Sequence, residues 1–226
     1  MLMPKVALAF DVNETLLDLR SLDDLFADAF GDSALRPTWF ALMLQLSFGG
    51  IATGRYLDFP SAQHAALQML ARRRGTQISA EVADEIVGAM SKLPVHPEVP
   101  QALTKLREAG FKMSTLTNSP PDVAQAQLRN AGIAELFDEV ISADEVKRLK
   151  PAPEPYHHAA ARLGVGAPSM RLIAAHWWDV DGALAAGCLA AFVARPGSAL
   201  NPAAPAPDIV EPDLTGVAEQ ILQRDA

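Results

Sequence analysis

Two kinds of apolar pattern follow one another along the chain, and their order carries the first structural information. Val6 to Phe10 is an unbroken apolar run of strand length that ends on Asp11, as expected of a strand buried on both faces in the middle of a parallel sheet. Only helical spacing follows for some time. Leu22, Leu25, Phe26, Ala29 and Phe30 recur behind Ser21 as N-cap and stop at Gly31, and Thr38 to Phe48 is apolar nearly all round and closed by Gly49-Gly50. Ser61 to Leu70 and Ser79 to Met90 read as two further helices, the second with Val82, Ile86, Val87 and Met90 along one face.

Strands and helices alternate only after Leu93-Pro-Val-His-Pro97. Val99, Leu103 and Leu106 mark a helix ended by Gly110; Phe111 to Leu116, Glu139 to Ser142, Met170 to Ala175 and Leu189 to Val193 read as strands. Helices fall at Asp122 to Asn130, Glu154 to Leu163 and around Ala183 to Ala186. Asn201 to Pro207 is a Pro/Ala surface loop, and the tail from Asp213 finishes as a helix. Repeated βα units predict an α/β fold with a doubly wound, Rossmann-like parallel sheet, and because the partners of the first strand come roughly 100 residues later, the four helices form an inserted cap. The expected division is an α/β core of residues 1–14 and 96–226 and a helical cap of residues 15–95.

Composition narrows the function. The 226 residues are half hydrophobic, enough for a sizeable core, and 27 acidic against 19 basic residues give a formal net charge of -8. With no basic block longer than Arg72-Arg73-Arg74, a small molecule is a better partner than nucleic acid. A single cysteine, Cys188, in an apolar segment reads as a buried structural thiol in a reducing cytoplasm. The N-terminus lacks the layout of a signal peptide, and no run approaches the ~18 apolar residues of a membrane span. A homodimer is left open.

Chemistry is concentrated at strand ends. In an open α/β sheet the ligand crevice lies at the carboxyl ends of the strands, where Asp11 is either a nucleophile or an N-cap at a strand-to-loop turn. Thr117 and Asn118 end the second core strand, Lys150 opens the proline-rich Lys150-Pro-Ala-Pro-Glu-Pro-Tyr156, and Asp179 follows the fourth strand through His176-Trp177-Trp178. A carboxylate attacks carbon or phosphorus only while ionised, and a nearby cation keeps it so; that role falls to Lys150. Tyr156 either packs on the cap or touches ligand, and the adjacent His157 and His158 read as solvent-exposed. Gly164-Val-Gly166 follows a helix and lacks a third glycine, so it is no dinucleotide loop.

Asp-x-x-x-Thr at Asp11 and Thr15, Thr117-Asn118, Lys150-Pro151 and an Asp after the fourth core strand together resemble the haloacid dehalogenase superfamily. Phosphatases of that superfamily carry Asp-x-Asp, whose second acid protonates an alkoxide, and an acidic magnesium loop. Here Asn13 and Ala175 stand at two of those acidic positions, which fits chemistry needing neither acid nor metal, because halide leaves unprotonated. Lys150-Pro-x-x-x-x-Tyr156, Trp178-Asp179 and Gly54-Arg-Tyr-Leu-Asp-Phe59 resemble the L-2-haloacid dehalogenases more closely. The resemblance implies that Asp11 displaces halide to form an ester, with no cofactor and no metal. It also implies that Thr15, Thr117 and Asn118 orient carboxylate and substrate, that Asp179 positions Lys150 and water, and that Asn13, Phe40, Tyr156, His176 and Trp178 line the substrate site. Three positions depart from the family pattern: Phe40 replaces a cap arginine, Ala174 a serine and His176 an asparagine. His176 either replaces the lost cation or is a satisfied polar residue at a strand end.

Overall fold

The computed structural model describes residues 6–225; Lys5 and the rest of the extreme N-terminus, which belong to the expected core segment 1–14, lie outside them. Six parallel strands, β1 (Ala7–Phe10), β2 (Met113–Thr117), β3 (Glu139–Ser142), β4 (Met170–Ala174), β5 (Leu189–Val193) and β6 (Ile209–Glu211), form one sheet in the order β3-β2-β1-β4-β5-β6. β1 lies between β2 and β4, with Leu8 beside Met113 on one side and Arg171 on the other. Strand order reverses there, which opens a crevice beyond the carboxyl end of β1.

Successive side chains of a strand point to opposite faces, and β1 divides accordingly. Leu8 and Phe10 join one apolar cluster, Ala7 and Ala9 the other. The small residues of β1 face the side covered by α7 (Pro153–Arg162) and α8 (Trp177–Ala185), where a Cβ on Gly182 would come 2.5 Å from the Tyr156 hydroxyl and 2.6 Å from Pro151 Cβ. Only glycine permits that approach. The opposite face is covered by α5 (Val99–Glu108), α6 (Pro121–Asn130) and α9 (Leu214–Arg224), the last capped by Asp213.

Between β1 and β2 lie α1 (Asp23–Phe30), α2 (Leu35–Ala52), α3 (Phe59–Arg73) and α4 (Ala80–Ala89). Trp39, fully buried, packs 5.3 Å from Phe26 and donates its indole N–H to the Gln63 carbonyl at 3.0 Å, which ties α1, α2 and α3 together. The chain enters and leaves these helices through two segments bonded to each other: Leu17 bridges Val95 antiparallel, Asp18 N–H donates to Pro94 O, and His96 N–H to Leu16 O.

Three local expectations are corrected. Gly49-Gly50 does not close α2, which runs on to Ala52; Gly50 serves close packing, since a Cβ there would meet the Arg55 carbonyl at 2.7 Å. Ser21 does not cap α1 but sits inside a preceding turn, Leu19–Leu22, that Asp18 caps through Arg20 N–H. β6 follows the Pro/Ala loop and was not foreseen, its three residues being too few to show a period.

Arg171 is a further departure, a buried cation inside β4. Its guanidinium donates to Asp225 (2.6 and 3.1 Å), Asp208 (2.6 and 3.1 Å) and the Ala190 carbonyl (3.0 Å), fastening the segment before β6 and the end of α9 to the sheet. Burial would lower the charge affinity of Arg171, but the two carboxylates raise its pKa. Asp225 is itself nearly buried, and removing one partner of such a pair leaves an uncompensated charge. Arg171→Met should therefore cost about 3 kcal/mol, seen as a fall in Tm of roughly 6–12 °C. Asp208→Asn, at a half-exposed carboxylate, should cost less. An unchanged Tm in Arg171→Met would show that the network contributes no net stability.

Candidate active site

Asp11 is the first residue past β1. Its N–H donates to the Ile173 carbonyl of β4 at 3.0 Å, which aims the side chain over the sheet edge. There Oδ2 accepts from the Thr15 hydroxyl at 2.6 Å and Oδ1 from Lys150 Nζ at 2.9 Å. The Thr15 oxygen accepts in turn from Ala175 N–H at 2.9 Å, so the backbone just past β4 fixes the hydroxyl that fixes the carboxylate. The N-cap alternative for Asp11 gives way to this pairing with a buried lysine.

Lys150 is wholly buried and spends all three protons: on Asp11 Oδ1, on Asp179 Oδ2 at 2.6 Å and on the Leu116 carbonyl at 2.6 Å. Its peptide is held from both sides by Asn118, whose Oδ1 accepts from Lys150 N–H at 2.8 Å and whose Nδ2 donates to Lys150 O at 3.3 Å. Asp179, also fully buried, accepts from the Tyr156 hydroxyl at 2.6 Å on its other oxygen. Tyr156 thus packs in the sheet's core beneath Asp179 and not on the cap.

Burial strips water from all of these groups, and their charges must compensate. For Asp11 burial raises the pKa, but the Lys150 ammonium, aided by His176 and Thr15, more than offsets it and holds the carboxyl below its ordinary value. For Lys150 burial works against the charge, and Asp11 and Asp179 together raise its pKa. Asp179 goes the other way: burial raises its carboxyl, and the charge of Asp11 adds to the rise despite Lys150. Two acids sharing one ammonium are therefore unequal, with Asp11 the better ionised. The same ammonium already stands where a cation between these carboxylates would sit, and among the described residues no cluster of three His, Cys, Asp or Glu could hold a metal ion.

The remaining predicted residues divide. Thr117 is buried and accepts from Ser119 N–H at 3.2 Å. Asn13 turns its side chain toward α6, where Oδ1 accepts from Gln127 at 2.9 Å. Phe40, His176 and Trp178 form a stack, 5.6 Å between the first pair of rings and 5.1 Å between the second. His176 Nε2 lies 3.1 Å from the Asn13 carbonyl and 3.7 Å from Asp11 Oδ2. This stack forms part of the wall of a cleft of about 690 Å³ that also reaches Glu14 and Ala175. Trp178 Nε1 is buried without a hydrogen-bond partner among the described residues. Of the adjacent histidines, His157 bonds the Ala186 carbonyl and His158 pairs with Glu145.

Glu14 is a residue that sequence reasoning missed. It holds a left-handed backbone (φ 61°), and its carboxylate lies 3.4 Å from Arg36 on α2 and 3.9 Å from His176 Nδ1. A glutamate inside Asp-x-x-x-Thr gives no sign of this, because the positive φ belongs to the turn and not to the residue type.

A family model for haloacid dehalogenase-like hydrolases matches residues 6–187. The chain is 31% identical over 179 residues to (S)-2-haloacid dehalogenase 4A of Burkholderia cepacia, covering 78% of each chain, and 27% identical to the (S)-2-haloacid dehalogenase of Pseudomonas sp. strain YL, covering 94% of this chain and 92% of that one. The L-2-haloacid dehalogenase of Xanthobacter autotrophicus, solved with chloropropionic acid covalently bound, superposes with a TM-score of 0.90 at 28% identity, covering 98% of this chain and all of that one. With these matches and the sheet order and helical insertion described above, the chain belongs to the haloacid dehalogenase-like hydrolases, in their L-2-haloacid dehalogenase branch.

Proposed function

We propose that this protein hydrolyses the carbon-halogen bond of small 2-haloalkanoic acids with Asp11 as nucleophile. One observation carries the reading: a buried carboxylate held ionised by a fully occupied lysine at the sheet edge, in a chain that superposes on a relative described with chloropropionic acid covalently bound. A carboxylate oxygen of Asp11 attacks C2 with inversion, the C–O bond forms as the C–halogen bond breaks, and halide departs with the electron pair. Water then attacks the Asp11 carbonyl carbon of the ester, releasing the 2-hydroxy acid and restoring the carboxylate. Asp179, bonded to the Lys150 ammonium at 2.6 Å, holds that cation beside the ester, and the net proton is released to solvent.

No proton donor is needed for a halide, which suits an Asn13 already engaged by Gln127. Charge growing on the halide does need a donor, and Phe40 supplies none. His176 and the unpartnered indole N–H of Trp178 are the polar groups in the stack against Phe40. Phe40 also motivates a second reading, a protein that keeps the fold with turnover lost. The division into core 1–14 with 96–226 and cap 15–95 is proposed on the paired crossings at Leu17 and Val95. A cytoplasmic site of action fits the unpaired, buried Cys188, whose thiol burial pushes up to about 11. Among the described residues no helix is long and apolar enough to cross a membrane.

Asp11→Asn should lower halide release from 2-bromopropionate by at least ~10⁴-fold with the far-UV CD spectrum unchanged. A single turnover of wild type in ¹⁸O water should label Asp11, and label confined to the product would mean direct attack by water.

The pH dependence follows from the ionised form of Asp11, which exists above its depressed pKa and is lost as pH falls through it. Rapid-quench measurement of ester formation in wild type should stay flat down through the ordinary carboxylate range. Lys150→Met removes the cation while burial remains, so the acid limb should move up by ~1 pH unit or more. A limb at the same pH in both proteins would remove Lys150 from this role.

Trp178→Phe keeps the ring and deletes the N–H, which for a donor to a developing anion commonly costs ~10²-fold. The loss should be greater for 2-chloropropionate than for 2-bromopropionate, bromide being the better leaving group, and Phe40→Arg should narrow the gap. Equal effects on both substrates would show that the indole does not meet the halide.

A further inference from the structure

The cleft beside Asp11 is far larger than a three-carbon acid. Its volume of about 690 Å³ falls within the range of pockets that enclose drug-sized ligands. Its lining includes Glu14, Ala175 and His176; His176 Nε2 is 3.7 Å from Asp11 Oδ2, and Ala175 N–H bonds the Thr15 oxygen. Asp11 itself does not line this space; His176, which does, stands between the two, so a substituent at C2 would run from Asp11 past the imidazole into the cleft.

Its lining decides what fits. Phe40, Ala41, Leu44, Trp177 and Trp178 give it an aromatic and aliphatic wall, and Trp177 is 46% exposed, an unusual position for a large apolar side chain. The cations that reach the cleft are already neutralised: Arg20 by Asp18 at 2.7 Å, Arg36 by Asp23 at 2.6 Å, and Arg195 by Glu98. A second anionic group on the ligand would have to break one of these pairs, whereas an apolar group only displaces water from the aromatic wall. Phe40 and the next residue of α2, the small Ala41, both contribute to the wall of the cleft.

From this geometry we infer that the cleft receives the C2 substituent of the substrate and that the protein prefers 2-haloacids with a long aliphatic or an aromatic group at C2 over 2-halopropionate. The inference rests on the dehalogenase reading above. Each buried methylene contributes about a fourfold gain, so kcat/KM should rise from 2-bromopropionate through 2-bromobutanoate to 2-bromohexanoate by at least ~10-fold in total, with α-bromophenylacetate also above 2-bromopropionate. Trp177→Ala should shrink the ratio between hexanoate and propionate substrates.

Binding gives a readout independent of turnover. In Asp11→Asn, quenching of tryptophan fluorescence by unhalogenated hexanoate and phenylacetate should occur at concentrations ~10-fold lower than by propionate. Halide released from 2-bromopropionate as fast as from the longer acids would overturn the inference while leaving dehalogenation intact. Tight binding of hexanoate with no halide released from any acid would overturn the dehalogenase reading and keep the cleft as an apolar-carboxylate site. Equal binding of all three unhalogenated acids would overturn the inference whatever the turnover.

Discussion

A single ammonium group between two buried carboxylates sets the conditions for everything around it. Lys150 Nζ reaches Asp11, Asp179 and the Leu116 carbonyl at once, and without it two acids would sit in a dry interior without the one cation they share. Isolated buried charge is among the costliest features a fold can hold. Much of the nearby architecture serves the placement of that one nitrogen: Asn118 grips the lysine peptide, Tyr156 steadies Asp179, and Gly182 lets the helix bearing Asp179 approach the segment bearing Lys150. The consequence is electrostatic asymmetry, in which one carboxylate stays an anion while the other is readier to take a proton.

The features legible in the sequence are those that break a local pattern. Asp11 and Thr117 are legible because each ends an apolar strand with a polar side chain, Asp179 because it follows β4 through one short segment, and topology brings strands β1, β2 and β4 side by side. Lys150 was legible only through its company, since a lysine before prolines is ordinarily a surface residue, and it proves wholly buried. Asn118, expected to orient carboxylate and substrate, also clamps the lysine backbone, and Asn13, expected at the substrate, bonds Gln127, 114 positions away. Such long-range pairings leave no trace in spacing. Arg171 is masked for a similar reason: four apolar neighbours define β4, while the carboxylates that make its charge tolerable lie 37 and 54 positions further on.

The stack of Phe40, His176 and Trp178 shows how substitutions at separate positions become one surface. The rings come from two distant segments, Phe40 from the inserted helices and the other two from just beyond β4. Together they present an aromatic face, a polarisable imidazole and an indole N–H. Polar recognition is thereby concentrated in fewer, more directional groups, and more of the wall is left to dispersion and water exclusion.

The two segments joining the helices to the sheet are bonded to each other at Leu16, Leu17 and Asp18 on one side and Pro94, Val95 and His96 on the other, and Thr15 is the residue immediately before them. Because its hydroxyl holds one oxygen of Asp11, a swing of the helices that twists this ribbon pulls on a hydrogen bond of the carboxylate itself. The ribbon thus leaves a single residue, Thr15, between the hinge-side backbone of the inserted helices and the carboxylate they cover.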